Sequence, residues 1–306
     1  MGALSATVRP ARESAGLGTQ ILVVVFCLLA GLGYRASVSL IPSGVAEAVF
    51  ILAVAGVLLG LALAAKRSAR FVRFWELPYA FFVFFVAGFF GDGSISPFQH
   101  LFVSNVLHES TSTNNPLAST ITGSVLAQIG GTLLLAVPIV ALTLASGRNL
   151  REIFIAKPQS LWPLVVAVIV FLAFWFIALC GRTVSFFPIH GALTTARFLS
   201  FTPALVLLVL LNGFREELWF RALFLNKYGR LLGPAIANIL AAVIFTSFHV
   251  EVKYAASVVV FLVYTLVIGL IAGTLMQRSS SLLASTIFHA GTDIPIFLVY
   301  LSYATS

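Results

Sequence analysis

Along most of this chain the apolar positions run uninterrupted for about 20 residues at a time, the length of helix that crosses a hydrocarbon core. Such windows fall near 18–34, 45–65, 76–91, 119–145, 161–181, 199–226, 233–250, 254–276 and 281–302. They predict an all-α fold, a polytopic transmembrane helical bundle of eight or nine spans. The polar stretches between them are short. The longest, Gly91 to Thr120, carries Asp92, His100, His108, Glu109 and Asn114-Asn115-Pro116 and reads as an outer loop. Arg148 to Ser160 reads as a short amphipathic segment on the other side. Neither resembles a soluble domain, and no internal repeat of the kind found in inverted-repeat transporters is evident.

The basic residues between the windows alternate. Arg9, Arg12, Lys66, Arg67, Arg70, Arg73, Arg148, Arg151, Lys157, Lys227, Arg230 and Arg278 fall on one side, and Arg35, Arg182, Arg197 and Lys253 on the other. By the positive-inside rule the N-terminus is expected in the cytoplasm and, with nine spans, the C-terminus outside. The first window follows Arg9 and Arg12 as a signal peptide would. Its apolar run is too long for one, and no small-x-small cleavage site precedes Arg35, so a retained anchor is expected.

Composition sharpens this picture. The 306 residues are 60% hydrophobic and 9% charged, against roughly one-quarter charged in soluble domains. A net charge of +8 would suggest nucleic acid in a soluble chain. Here membrane topology accounts for the basic loops, so no nucleic-acid partner is expected and the bilayer is the first partner. Cys27 and Cys180 both sit in apolar runs, which argues against a disulfide framework and leaves packing as their role.

Against this background Asn212-Gly213-Phe214-Arg215-Glu216-Glu217-Leu218-Trp219-Phe220-Arg221 stands out, because charges inside an apolar span are expensive and mark functional sites by default. On a helix Glu217 and Arg221 share a face with the acid N-terminal, the favoured order for pairing. Adjacent residues point about 100° apart, so Glu216 is left to face another side, where water or a substrate could sit. A helix end whose charges lie among lipid headgroups would carry the same residues, so other positions must decide.

Two later windows each hold a histidine: Phe245-Thr246-Ser247-Phe248-His249, and Phe288-His289-Ala290-Gly291-Thr292-Asp293, in which His289 and Asp293 share a helical face. At about 1.5 Å of rise per residue, Glu216 lies roughly 15–18 Å from the basic face, His289 roughly 16 Å, and Asp293 and His249 roughly 22 Å. Three helices thus bring buried polar groups to similar depths, as a shared cavity requires. Two carboxylates, two imidazoles and an arginine, with no serine or cysteine nucleophile in evidence, suit hydrolysis by water. Glu216 would be the general base, one histidine would hold the water or protonate the leaving amine, and the other, with the residue four positions on, would face the oxyanion.

At these residues the sequence resembles the CAAX protease and bacteriocin-processing (CPBP, or Abi) family of intramembrane glutamate-type endopeptidases. That family carries Glu-Glu-x-x-x-Arg, Phe-x-x-x-His and His-x-x-x-Asn/Asp on successive core helices. Here these are Glu216-Glu217 with Arg221, Phe245 with His249, and His289 with Asp293, in the same order. The resemblance covers roughly 199–302. It implies catalytic roles for Glu216, His249, His289 and Asp293, supporting roles for Glu217, Arg221 and Phe245, and a cavity opening toward the cytoplasm. Eukaryotic relatives trim prenylated CAAX proteins, and bacterial ones are linked to peptide processing and bacteriocin immunity. The implied partner is therefore a peptide or protein, prenylated or otherwise membrane-associated.

The aspartate at 293 stands where the prenyl-protein proteases have asparagine. An ionised aspartate would repel an oxyanion, so Asp293 is either protonated or orients His289. No cofactor is required. The cluster could bind zinc, but no zinc-protease motif is present, and no metal site is firmly predicted. His108-Glu109-Ser110-Thr111-Ser112 begins like the zinc motif His-Glu-x-x-His and ends in serine, and Gly91-Asp92-Gly93 reads as a turn. Residues 1–160 are expected to form N-terminal transmembrane helices with the outer loop, and 161–306 the core that resembles the family, in an integral multi-pass protein of the plasma membrane if bacterial. A catalytically silent scaffold or immunity protein and a proton-coupled transporter are the alternatives.

Overall fold

The structure is a computed structural model and describes residues 16–41, 45–92, 96–253 and 255–305. Arg9 and Arg12, on which part of the topology rests, lie outside them. Among the described residues the chain is all-helical. Its helices are α1 (Leu17–Leu40), α2 (Val45–Arg67), α3 (Glu76–Gly91), α4 (Pro97–Leu101), α5 (Ile121–Ala145) and α6 (Trp162–Leu179), followed by α7 (Thr195–Glu216), α8 (Leu225–Leu232), α9 (Pro234–Ser247), α10 (Val258–Ser279) and α11 (Leu282–Tyr303). A π-helical turn, Glu217–Ala222, joins α7 to α8.

Among the described residues eight helical stretches are long and apolar enough to cross a membrane, and the protein is an integral multi-pass membrane protein. The remaining window, 233–250, is only partly helical: α9 has 14 residues. It begins beside the end of α10, where Gln277 donates to the Pro234 carbonyl, and an irregular stretch carries the chain on to Ala256, whose N–H donates to the Phe186 carbonyl at the opposite end of the bundle. Irregular backbone at such depth is tolerated where it is buried in protein or lines a polar cavity.

Local sequence sets several helix starts. Thr120, Thr194, Ser257 and Ser281 each accept from a backbone N–H in the first turn of α5, α7, α10 and α11, satisfying donors a helix start leaves free. Gly233, at φ 81°, makes the corner between α8 and α9, a conformation costly for residues with a Cβ. Many large apolar side chains of α1, α2, α5, α6 and α10 are exposed, among them Leu22, Leu61, Leu133, Ile169 and Val263, as lipid-facing helices require. Cys27 is buried, whereas Cys180 is exposed, so the packing role expected of both holds only for Cys27.

The centre is α11, nearly all of whose residues are buried, packed between α6, α7 and α10. It approaches α7 closely at Gly213, where a Cβ would lie 2.8 Å from the Thr286 carbonyl oxygen. That glycine sets Asn212 and Glu216 against His289. The basic segments converge on one end of the bundle, where Glu76 pairs with Arg148 and Arg230, Arg230 pairs with Glu152, and Asn226 donates to the Glu152 carbonyl. The opposite end holds the Arg35–Glu251 pair and Arg197, which donates to the carbonyls of His190 and Ser302.

The segment expected as an outer loop is partly helical, with α4 and a π-turn, Phe102–Val106. Glu109 fastens it, accepting from the backbone N–H groups and hydroxyls of Ser119 and Thr120. Those bonds hold its carboxyl below the ordinary carboxylate range. A depressed folded-state value means the clasp contributes fully above the unfolded-state value, about 4.3, and is lost as pH falls through the folded-state value. Amide exchange at Ser119 and Thr120 is therefore expected to accelerate on acidification in the native chain, and already at neutral pH in Glu109→Gln. Equal protection at neutral pH in the two would refute the clasp.

Candidate active site

The acidic pair sits where α7 passes into the π-helical turn, a local widening that recurs at functional sites. The turn is held by aromatic packing: the Trp219 indole N–H donates to the Phe84 carbonyl at 3.0 Å and its ring stacks on Phe84 at 4.7 Å. The two carboxylates face different surroundings, as the sequence predicts, although both border the His289 ring. Glu217 is fully buried and pairs with Arg221, also fully buried, while Glu216 keeps 16% of its side chain exposed. The Arg221 guanidinium lies 4.2 Å from the Phe245 ring centre, and its Nε donates to the Gly269 carbonyl. Phe245 is thus the platform for the pair, and His249 and His289 pack edge-on to the same ring.

His289 is the hub. Its Nδ1 is 2.7 Å from Glu217 Oε1, and its Nε2 is 3.5 Å from both Glu216 Oε2 and Asp293 Oδ1. Glu217 Oε1 also accepts from Arg221, so Nδ1–H is assigned as the donor in that bond. His249 occupies the turn after α9, with Nδ1 3.0 Å from the Phe245 carbonyl oxygen, which leaves Nε2 for other partners.

Three residues not singled out individually from the sequence complete the arrangement. Asn212 donates to Asp293 Oδ2 at 2.8 Å and accepts from Gln128 of α5 and from Arg215 at 3.2 and 3.1 Å. Arg215 also lies 3.8 Å from Glu216. The amide chain Gln128–Asn212–Asp293 crosses three helices and fixes the aspartate. Gln128 is the one amide inside the apolar run of α5, and the rule that polar groups in spans are functional would have found it.

Glu216, His249, Asp293, Asn212 and Arg215 line one cavity of about 270 Å³. His289 lies behind Glu216 and Asp293, almost fully buried. The remaining walls come from Asp92, Gln99, Pro116 and Leu117 and from Ile296, Phe297 and Tyr300 of α11. The cavity thus runs toward the end of the bundle opposite the basic face. The basic end is covered by the Glu76–Arg148–Arg230–Glu152 network, with packed aromatic residues beneath it.

A multi-pass helical membrane protein with acid, base and amide groups around a buried cavity is the class that fold and site define. Residues 198–295 match the family model described as type II CAAX prenyl endopeptidase Rce1-like. The matched segment, less than half of the chain, holds Asn212, Arg215, Glu216, Glu217, Arg221, Phe245, His249, His289 and Asp293, and Gln128 lies outside it. No curated protein and no solved structure gives a significant match.

Proposed function

We propose that the protein is an intramembrane endopeptidase that hydrolyses peptide bonds with a water activated by Glu216. The observation that carries this reading is the convergence of Glu216, His249 and Asp293 on one cavity, with His289 held behind them by the Glu217–Arg221 pair. Glu216 is the base, being the carboxylate of the acidic pair that lines the cavity. The free Nε2 of His249 holds the water by accepting one of its hydrogens, and the proton that Glu216 takes from that water passes, by way of Nε2, to the leaving amine as the C–N bond breaks, which returns Glu216 to its carboxylate form. His289, as an imidazolium whose Nδ1–H is held by Glu217, would act on the developing oxyanion from behind Glu216 and Asp293 through its Nε2–H edge.

The Asn212 bond and the 3.5 Å approach of Asp293 to His289 support the orienting role for Asp293, with no oxyanion contact of its own. Arg215 adds a cation at the cavity wall, 3.8 Å from Glu216. At about 270 Å³ the cavity is slightly below the range of drug-sized ligand sites, about 300–1,000 Å³. It suits a scissile bond and its flanking side chains. A substrate peptide would approach through the end of the bundle formed by 96–120 and the C-terminal half of α11.

The scheme routes no step through a metal. The test is to dialyse the purified protein against a chelator, incubate it with a peptide library and with prenylated CAAX peptides, and map cleavage by mass spectrometry. Cleavage that survives chelation is expected. Activity lost on chelation and restored by zinc would overturn the metal-free scheme. Peptide binding without any cleavage would favour the silent scaffold.

A further inference from the structure

A second polar cavity lies at the basic end, away from the acidic pair. Its volume is about 200 Å³, and Arg73, Arg148, Lys227 and Arg230 line it together with Glu76, Trp75 and Leu231. The arginines 148 and 230 are engaged by Glu76 and Glu152. Lys227 is different. It is nine-tenths buried, lines this cavity, and makes no direct hydrogen bond or ion pair among the described residues, Glu76 and Glu152 acting on its charge only from a distance while engaged with the arginines. Burying a charge without a partner is expensive, so an ammonium held at a cavity wall beside three guanidinium groups is arranged for an anion. Four cations face two carboxylates there, leaving an excess of positive charge for the ligand to neutralise.

What the anion is attached to follows from a neighbouring feature. An apolar cleft of about 780 Å³ lies between α1, α2 and α3, lined by Leu22, Phe26, Leu61, Ala64, Phe74 and others. It shares Arg73 and Leu77 with the basic cavity, so the two adjoin at the edge of the bundle. A free anion would use the cavity and ignore the cleft. A neutral hydrophobe would do the reverse. A phospholipid with an anionic headgroup fills both, its chains between α1 and α2 and its phosphate among Arg73, Lys227, Arg148 and Arg230.

We infer that this protein binds an anionic phospholipid at this composite site, on the face that the charge asymmetry assigns to the cytoplasmic leaflet, where such lipids lie. The site is independent of the peptidase reading. Lys227 belongs to α8, which follows the π-helical turn directly, so the bound headgroup would be fastened to the same continuous helical stretch as the acidic pair.

The experiment is native mass spectrometry of the purified full chain titrated with dioleoyl phosphatidylglycerol, with dioleoyl phosphatidylcholine, and with phosphatidylglycerol in competition with inorganic phosphate. The expected result is a preference for phosphatidylglycerol of about tenfold or more, the scale set by two extra basic side chains near an anionic headgroup. Inorganic phosphate should compete poorly. The preference should disappear in Lys227→Met and in Arg73→Gln, the latter in an exposed turn where folding is not at stake. Ala64→Trp, which fills the cleft and leaves the basic cavity intact, should weaken binding. Equal binding of the two lipids by the unmodified chain would overturn the site. Full competition by inorganic phosphate with no effect of Ala64→Trp would overturn the lipid assignment and leave a free-anion pocket.

Discussion

Replacing Glu216 with glutamine is expected to lower kcat/KM for peptide cleavage by about 10²–10⁴-fold, the usual contribution of a general base, with little change in thermal midpoint. The two halves of this expectation have separate causes. Glutamine keeps the volume of the side chain and loses only the ability to take a proton from water. Folding is spared because Glu216 lines the cavity and its charged neighbours stand off, Arg215 at 3.8 Å and His289 at 3.5 Å. Glu216→Ala should behave alike, which separates base chemistry from any new contact made by the amide. Undiminished cleavage by both variants would remove the proposed base. A collapse of the midpoint in Glu216→Gln would mean that the residue holds the bundle together, and that its place in the motif reflects packing.

Much of this site was legible before any coordinates. Glu217 and Arg221 do pair, because a four-residue spacing brings them together even across the π-helical turn, and Glu216 does face elsewhere. The depth estimate placed Glu216, His249, His289 and Asp293 in one slab, and the four surround one site. What the sequence concealed depends on tertiary approach. Hydropathy alone reads 233–250 as a span, yet α9 stops at Ser247, because the chain must open for the His249 ring to reach the cavity while Nδ1 stays bonded to the Phe245 carbonyl. The Gln128–Asn212 link joins residues far apart in the chain and needs the close approach of α5 and α7. The direction of the cavity is hidden for a related reason. It depends on the 96–120 segment folding back over the bundle end, which a polar composition read only as an outer loop.

Arg221→Met is expected to be the most destabilising single change in the site, by about 3–5 kcal/mol, the range found when one partner of a buried ion pair is removed. The guanidinium is fully buried, pairs with Glu217, donates to the Gly269 carbonyl and lies over Phe245. Removing it leaves the Glu217 carboxylate buried with only His289 Nδ1 as partner. Methionine restores much of the volume, so the loss would come from the stranded charge. Two well-packed apolar residues in place of a buried pair are often neutral. The double variant Glu217→Leu/Arg221→Met should therefore recover most of the thermal midpoint. It should not recover cleavage, because His289 Nδ1 would have lost the acceptor that sets its orientation, and the deficit should appear in kcat more than in KM. A normal midpoint in Arg221→Met would show that the pair contributes nothing to the fold. Full activity in the double variant would show that Glu217 does not position His289, and the arrangement behind the cavity would then be scaffolding only.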